Sequence, residues 1–503
     1  MKFSRAGGIL LHPTSLPGPY GIGDLGPQAY RFVDWLASTG CKLWQVLPLG
    51  PTGYGDSPYQ CFSAFAGNPY LISFEALIED GLLTADDLME MPKFHASRVD
   101  YGLLIPWKLR LLQKAFSRLP STAEMFRKEF DDFRADNASW LDDYALFMSL
   151  KEANGGGAWS DWDESLRKQK KSVITKARNE YAESILRYSF YQFLFFRQWD
   201  KLHEYANEHG IKIIGDIPIF VAYDSADVWA NPDLFFLDKD GLPTVVAGVP
   251  PDYFSVTGQL WGNPLYRWKV HKDSGYAWWL ERFRSVLKVV DVVRLDHFRG
   301  FAGYYEIPFG QKTAEVGQWV TGPGKDFFAK VSSSLSGAEQ VRSIDDTLPI
   351  IAEDLGVITP DVVELRDSFH LPGMKILQFG FTSPDDPFLP HHYPRNCVAY
   401  TGTHDNDTSC GWFQSAPESE RALALQYLHT DGHDFAWDLI RAVWSSVAVY
   451  AITPMQDALS LGTEARMNFP SKLGGNWEWR VGKEDLSKEL AERLRELNKL
   501  YSR

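Results

Sequence analysis

The sequence predicts an α/β fold, a closed (β/α)8 TIM barrel, and two observations predict it. First, short apolar runs that end in polar or charged residues recur along almost the whole chain of 503 residues, which is typical of buried parallel strands. Second, helical patterns separate these runs, and a strand–helix–strand order implies parallel pairing. Eight such units favour a closed barrel over an open doubly wound sheet, because no GxGxxG turn follows the first run.

The first connection illustrates the helical pattern. Pro27 suits a first helical turn, and Gly40 provides a stop. Between them Phe32, Trp35 and Leu36 share one face of the predicted helix. The eight predicted barrel strands lie at 8–11, 43–47, 211–214, 289–295, 350–352, 376–379, 398–400 and 447–452.

The spacing of the strands is uneven, which predicts insertions into one barrel domain that covers residues 1–503. The stretch 73–210 is mostly helix-like and longer than one crossover requires, so we expect a helical insertion there. The stretch 220–279 is rich in Pro, Gly, Asp and aromatic residues, which indicates long ordered loops. Because loops at the carboxyl end of barrel strands usually build clefts, we expect 220–279 to form part of a substrate cleft.

The composition argues against several classes of function. A formal net charge of −14 and the absence of a long basic stretch argue against a nucleic-acid partner. The four cysteines show neither CxxC nor paired zinc-ligand spacing, so we expect free thiols, no metal site and no cofactor. The sequence shows no signal peptide and no long uncharged apolar run, which predicts a cytoplasmic protein without a membrane partner.

Three carboxylates follow predicted strands, and carboxylates in such places suit glycoside cleavage. A retaining glycosidase needs one carboxylate as nucleophile and a second carboxylic acid to protonate the leaving oxygen, about 5 to 5.5 Å apart. The candidates are Asp296 after the fourth strand, Glu353 after the fifth and Asp405 after the seventh.

Asp296 follows Arg294 by two residues, so both side chains lie on the same side of an extended strand. A neighbouring guanidinium favours the ionised carboxylate that a nucleophile requires. An Arg–Asp pair with a purely structural role explains this motif equally well.

Glu353 follows three apolar residues, where a half-dry setting raises the pKa of a carboxyl group toward the range of a general acid. Asp354 points to the opposite side of the strand, and capping of the following helix explains it. His404 and Asp405 suit a grip on sugar hydroxyls, although a turn stabilised by Asp405 and its neighbours is the plainer account.

Taken together, these motifs resemble the α-amylase-like clan of glycosidases, whose three carboxylates follow the same barrel strands. The segment from Gly248 to Tyr266, GVPPDYFSVTGQLWGNPLY, is narrower and resembles the signature loop of the amylomaltases, glycoside hydrolase family 77. Further matches cover essentially the whole chain: GDSPYQ at 55–60, GNPY at 67–70, GDIP at 215–218, MKILQF at 374–379 and GNWEWR at 475–480.

The resemblance implies a retaining 4-α-glucanotransferase that acts on α-1,4-glucans without a cofactor or metal. It assigns Asp296 as nucleophile, Glu353 as acid/base and Asp405 as the residue that stabilises the transition state. It also implies two further groups of residues. Substrate contacts are implied for Tyr59, Asp216, Asp252, Tyr253, Phe254, Gln259, Trp261, Arg294, His297, His404 and Asn476. A second glucan contact is implied for Tyr54 and Tyr101.

Two alternatives compete with this prediction. A hydrolase of the same clan uses the same carboxylates, but the long aromatic loop at 253–261 favours transfer to a sugar over transfer to water. A catalytically silent carbohydrate-binding protein is expected to lack one of the three carboxylates, and all three are present. The plastid stroma is an alternative compartment if a transit peptide has been removed.

Overall fold

The computed structural model describes residues 3–251, 255–335, 348–470, 472 and 474–503, which form twelve strands and eighteen α-helices. The strands are β1 (Ala6–Leu10), β2 (Leu43–Gln45), β3 (Lys212–Pro218), β4 (Val245–Val249), β5 (Gln259–Pro264), β6 (Val292–Asp296), β7 (Gly303–Pro308), β8 (Gln318–Thr321), β9 (Ile350–Ala352), β10 (Gly373–Ile376), β11 (Cys397–Tyr400) and β12 (Tyr450–Pro454). The α-helices are α1 (Pro27–Ser38), α2 (Phe74–Glu79), α3 (Tyr101–Ser117), α4 (Glu124–Asp136), α5 (Ala138–Ala153), α6 (Glu164–Arg167), α7 (Lys171–Glu180), α8 (Ala182–Glu208), α9 (Ala226–Ala230), α10 (Trp268–Asp273), α11 (Ala277–Val289), α12 (Gly324–Leu335), α13 (Pro360–Ser368), α14 (Ser409–Ser415), α15 (Glu418–Leu428), α16 (Phe435–Ser445), α17 (Met455–Ala458) and α18 (Lys488–Leu500).

Eight of the strands form one parallel sheet that closes into a barrel. Its strand order is β10-β11-β12-β1-β2-β3-β6-β9, and every ladder between neighbours is parallel. Between β9 and β10, the backbone amide of Ala352 donates a hydrogen bond of 2.9 Å to the carbonyl of Pro372. This bond joins the two outer strands, and the predicted (β/α)8 barrel is confirmed.

Each predicted apolar run overlaps one barrel strand, but the sixth is displaced. The sixth strand is Gly373–Ile376, and the predicted residues 377–379 belong to a 3₁₀ turn instead. Lys375 interrupts the apolar pattern inside the strand, while the apolar side chains of the turn continue it beyond the strand's end. Hydrophobicity alone therefore placed this strand three residues too late.

Alternate residues of the barrel strands face two different cores. Val292 lies in a cluster to which all eight barrel strands contribute, so this cluster fills the barrel interior. Val293 and Leu295 belong to the larger cluster between the strands and the surrounding helices. Because side chains alternate along a strand, Arg294 and Asp296 share the inner face with Val292, and they lie where that face opens at the carboxyl end.

A four-stranded antiparallel sheet lies beside the barrel, and the sequence did not predict it. Its order is β5-β4-β7-β8. Strands β4 and β5 fall within the stretch 220–279, together with α9 and α10, whereas β7 and β8 follow the fourth barrel strand. The sheet therefore joins two connections that are separated in sequence by a barrel strand.

Seven α-helices, α2 to α8, lie between β2 and β3, and buried polar side chains attach them to the barrel loops. Gln192 of α8 exchanges two hydrogen bonds with the backbone of Gly67, and Gln198 exchanges two with the backbone of Ser73. Lys108 of α3 is fully buried, and its ammonium group donates to the carbonyls of Tyr70 at 2.7 Å and Ile72 at 2.9 Å. These bonds hold the loop after β2 against the helices.

We expect Lys108→Met to lower the free energy of unfolding by about 2–4 kcal/mol, because it leaves two buried carbonyls without a donor and deprives the buried carboxyl group of Asp24 of a stabilising positive charge. Guanidinium denaturation followed by circular dichroism measures this loss. The control is Arg110→Met on the same helix, whose exposed pair with Glu90 contributes at most about 1 kcal/mol. Equal effects of the two substitutions would contradict an anchoring role for Lys108.

Candidate active site

Arg294 links two carboxylates at the carboxyl ends of adjacent barrel strands. The parallel ladder places Asp216 of β3 opposite Arg294 of β6. The guanidinium lies 2.6 Å from Oδ2 of Asp216 and 2.9 Å from Oδ1 of Asp296. The Arg294 side chain is only 5 % exposed, so both ion pairs lie largely out of water.

The pKa of Asp296 shows which of two opposing effects dominates at this position. Burial raises it and the charge of Arg294 lowers it, while the nearby carboxylate of Asp216 raises it further. The net result is a pKa of about 6. The expected stabilisation of the carboxylate by Arg294 is therefore present, but burial outweighs it.

Glu353 follows β9, and two backbone amides hold its carboxyl group in place. Its Oε2 accepts from the amide of His297 at 2.7 Å, and its Oε1 accepts from the amide of Leu355 at 2.9 Å. His297 has a φ of +50°, a left-handed conformation that costs a non-glycine residue of order 1–3 kcal/mol. This turn directly after Asp296 aims the amide at Glu353 and so fixes the two carboxyl groups relative to each other.

The pKa of Glu353 is raised to about 8, first by burial and next by the negative charge of Asp296. Arg294 and the two backbone hydrogen bonds oppose this shift without reversing it. At neutral pH, Asp296 is therefore mostly ionised while Glu353 is mostly protonated. A nucleophile and a proton donor need these two protonation states.

Asp354 faces away from this pair, as strand alternation predicts. Its carboxylate accepts from the amide of Met374 in β10 at 2.7 Å and pairs with Arg366 of α13. It therefore connects two barrel strands and a helix, and the interpretation of Asp354 as a helix cap is wrong.

Asp405 follows β11 and is held by two side chains. Its Oδ1 accepts from the amide group of Asn468 at 2.7 Å, and its Oδ2 lies 3.3 Å from Nε2 of His404. Loss of water around the carboxylate by itself raises the pKa of Asp405, but His404 and the hydrogen bond from Asn468 lower it well below its usual range. Asp405 is therefore a permanent negative charge beside the other two carboxyl groups.

Two aromatic side chains, Tyr59 and Trp477, pack against the ring of His404. Tyr59 stacks on His404 with ring centroids 5.1 Å apart, and its hydroxyl donates to Oδ2 of Asp216 at 2.8 Å. Trp477 packs against both rings, at 5.8 Å from Tyr59 and 5.9 Å from His404. The sequence contains Trp477 in the GNWEWR motif, but a single tryptophan in a loop carries no periodic signal, so its contact with the site was not predicted.

Two residues of the predicted cleft segment lie over the Asp296 turn. Trp261 of β5 meets the ring of His297 edge-on, with centroids 4.8 Å apart, and its indole nitrogen donates to Oε1 of Gln259 at 3.1 Å. The structure therefore brings Gln259, Trp261 and His297 together beside Asp296. The three other predicted residues of this segment, Asp252, Tyr253 and Phe254, lie outside the described residues.

The remaining predicted site residues, Asn476, Tyr54 and Tyr101, differ in their exposure and in their hydrogen bonds. Asn476 uses its amide group within its own loop, where it accepts from the amide of Phe469 and donates to the carbonyl of Lys472. Tyr54 is exposed, as a sugar contact requires. Tyr101 is buried instead, and its hydroxyl donates to the carbonyl of Trp477 at 3.0 Å. The ring of Tyr101 is therefore not on the surface beside Tyr54.

Within the part of the chain that the structure describes, no three His, Cys, Asp or Glu side chains are arranged to hold a metal ion. The same described ranges contain no helix long and apolar enough to cross a membrane.

Comparisons with known proteins agree with this geometry. Residues 11–485 match the model of glycoside hydrolase family 77, described as 4-alpha-glucanotransferase. The chain is 51 % identical to a 4-alpha-glucanotransferase of Thermus thermophilus, with 98 % of each covered, and 48 % identical to one of Synechocystis sp., with 100 % of this chain and 99 % of the relative covered. The amylomaltase of Streptococcus agalactiae, solved in complex with acarbose, superposes with a TM-score of 0.94 at 41 % identity over 99 % of each chain. The chain therefore belongs to the 4-alpha-glucanotransferase family.

Proposed function

We propose that this glucanotransferase moves α-1,4-glucan segments from a maltooligosaccharide or starch chain to the 4-hydroxyl of another glucan or glucose, with Asp296, Glu353 and Asp405 as its catalytic residues. The observation that carries the proposal is the placement of two carboxyl groups at neighbouring strand ends, Asp296 on Arg294 and Glu353 on the His297 amide, with the pKa of Glu353 raised above that of Asp296. Retaining transfer requires this pairing of a carboxylate with a carboxylic acid.

In the first half of the reaction, the carboxylate of Asp296 attacks the anomeric carbon, and the bond from that carbon to the glycosidic oxygen breaks. Glu353 gives its proton to this oxygen, so the remainder of the donor leaves as a neutral alcohol. The product is a covalent glucosyl-enzyme at Asp296. Burial of Glu353 supports its role as acid, because burial keeps the carboxyl group protonated until the oxygen takes the proton.

In the second half, the ionised Glu353 takes the proton of an acceptor 4-hydroxyl, and the hydroxyl oxygen displaces Asp296 from the anomeric carbon. The fixed negative charge of Asp405 stabilises the positive charge that develops on the sugar ring in both halves. No redox step and no cofactor are needed.

We further propose that the cleaved sugar unit is bound by the residues around these carboxylates, and that the stretch 220–279 forms one wall of the cleft. The contact of Trp261 with His297 supports this placement. The proposed contacts are Tyr59, Asp216, Asp252, Tyr253, Phe254, Gln259, Trp261, Arg294, His297, His404 and Asn476. A second glucan contact at Tyr54 remains part of the proposal, whereas Tyr101 contributes by holding the loop of Trp477.

The domain organisation and the cellular location are also proposals. We propose one catalytic barrel over 1–503, with 73–210 as a helical insertion. A cytoplasmic location, or alternatively the plastid stroma, suits the free thiols of Cys41, Cys61, Cys397 and Cys410, because disulfides are rare in reducing compartments. Fractionation of the native cells distinguishes the two compartments.

The first test is incubation of the pure protein with maltotriose. We expect glucose and longer maltooligosaccharides at a constant number of reducing ends, because each transfer breaks one glycosidic bond and forms another. Chromatography follows the products and titration counts the reducing ends. A steady rise in reducing ends without longer products would identify an α-glucan hydrolase and contradict the transferase proposal.

The pH dependence tests the assignment of the two carboxyl groups. We expect kcat/KM to rise as the pH passes about 6, where Asp296 ionises, and to fall as it passes about 8, where Glu353 loses its proton. Asp216→Asn removes a charge that raises the pKa of Asp296 and releases Arg294 to that residue. The acidic limb of the Asp216→Asn profile is therefore expected at lower pH than that of the wild type.

The matched control is Asp224→Asn, since Asp224 pairs with Lys151 and is not among the groups that shift the pKa of Asp296 or Glu353. This variant keeps both limbs in place. An acidic limb that does not move in Asp216→Asn shows that a group other than Asp296 controls it.

Trp477 provides a test of the aromatic cluster. We expect Trp477→Ala to lower kcat/KM with maltotriose by roughly 10-fold, because His404 and Tyr59 lose a packing partner worth about 1 kcal/mol or more. Trp477→Phe retains an aromatic ring and is expected to restore most of the loss. Steady-state kinetics at a temperature where both variants are folded measure the difference. A loss of thermal stability in Trp477→Ala with unchanged kinetics would make Trp477 a structural residue only.

A further inference from the structure

The β7–β8 hairpin carries a large aromatic side chain that none of the steps above uses. Trp319 lies on β8, the edge strand of the antiparallel sheet, and is 45 % exposed. Its cross-strand neighbour Tyr305 meets the indole edge-on, with centroids 5.3 Å apart. Single exposed apolar side chains are ordinary on protein surfaces, but this indole is also held by neighbouring side chains.

Arg299 covers one face of this indole. The central carbon of its guanidinium lies 3.9 Å from the ring centroid, a close cation–π contact. The guanidinium also donates to the carbonyls of Val357 and Gly303, and the residue is almost fully buried. Arg299 covers one face of the indole and Tyr305 packs beside it, which leaves the opposite face for the exposed part of Trp319.

Arg299 also connects the indole to the loops of the candidate active site. Arg299 lies three residues after Asp296, and Val357 lies four residues after Glu353. The hydrogen bond from Arg299 to Val357 therefore ties the two loops that carry the catalytic carboxyls to the indole. In the proposed reaction Glu353 faces the leaving group and then the acceptor, so the loop from Glu353 to Val357, and through Arg299 the indole, is assigned to the acceptor side.

We propose that the exposed face of Trp319 is a binding platform for the acceptor-side part of a long α-1,4-glucan, remote from the cleaved bond. This inference rests on the proposed function. The flat apolar face of a pyranose suits stacking on an indole. The exposed Thr321, two residues along the same face of β8, offers a hydroxyl for the sugar.

The charge of the surroundings supports a neutral ligand. The positive charge of Arg299 is directed into the indole and into backbone carbonyls, so it does not attract an anion, and the protein carries a net charge of −14. Thr321, the next residue on the same face of β8, is uncharged, whereas Gln318 points to the opposite face. On this face of β8, a glucan chain therefore meets only the indole of Trp319 and the neutral hydroxyl of Thr321.

The test compares long and short substrates in wild type, Trp319→Ala and Trp319→Phe. We expect Trp319→Ala to raise the KM for amylose by roughly 3- to 10-fold, which is the size of one lost stacking contact, while kcat and KM for maltotriose stay unchanged. Maltotriose is too short to reach a remote platform. Native gels containing amylopectin give a second readout without turnover, in which Trp319→Ala migrates faster than the wild type.

The matched control is Val316→Ala in the turn of the same hairpin, where the side chain is also exposed. We expect Val316→Ala to leave amylose kinetics and gel migration unchanged, and Trp319→Phe to keep most of the amylose affinity of the wild type.

Unchanged amylose kinetics in Trp319→Ala would overturn the proposed platform, as would an equal loss of activity with maltotriose. A change in oligomeric state on size exclusion also overturns it, because the indole is then a contact between copies of the chain. Wild-type protein that fails to elongate maltotriose instead refutes the proposed function.

Discussion

The guanidinium of Arg294 stands between two carboxylates, Asp216 on β3 and Asp296 on β6, with almost no access to water. Charges in such a place are costly to bury, and the cost is offset only when each has a close partner. Two carboxylates share one cation here, so one negative charge is left in excess. Burial is the main cause of the raised pKa of Asp296, and this excess charge adds to it; the charge of Asp296 in turn adds to the effect of burial on the pKa of Glu353.

Backbone geometry fixes the position of Glu353 relative to Asp296. His297 is forced into a left-handed conformation directly after Asp296, and its amide then binds Glu353. The strain is local, because β6 and β9 on one side and the buried turn around Phe298 on the other fix the chain. The proposed proton donor Glu353 is therefore positioned by main-chain amides, while the proposed nucleophile Asp296 is held by the side chain of Arg294.

Much of this architecture was predictable from the sequence. The barrel strands are short apolar runs, and the period of two along Val292 to Asp296 correctly placed Arg294 and Asp296 on one face. The antiparallel sheet was not predictable in this way, because β4 and β5 are short and contain glycine, and β4 pairs with β7 only after another barrel strand has intervened. The contacts of Trp477 and Arg299 were not predicted for a related reason. Both residues touch partners that are distant in sequence, and no local sequence pattern records such contacts.

The closure of the barrel sets one junction of its wall apart. Seven of the eight strand junctions are parallel ladders, whereas the described atoms of β9 and β10 meet through the Ala352 amide and through the side chain of Asp354, which accepts from Met374. Glu353 lies directly between these two links in sequence. The residue proposed as acid/base is therefore anchored on both sides by contacts that cross this junction, and Arg366 holds the carboxylate of Asp354 in place.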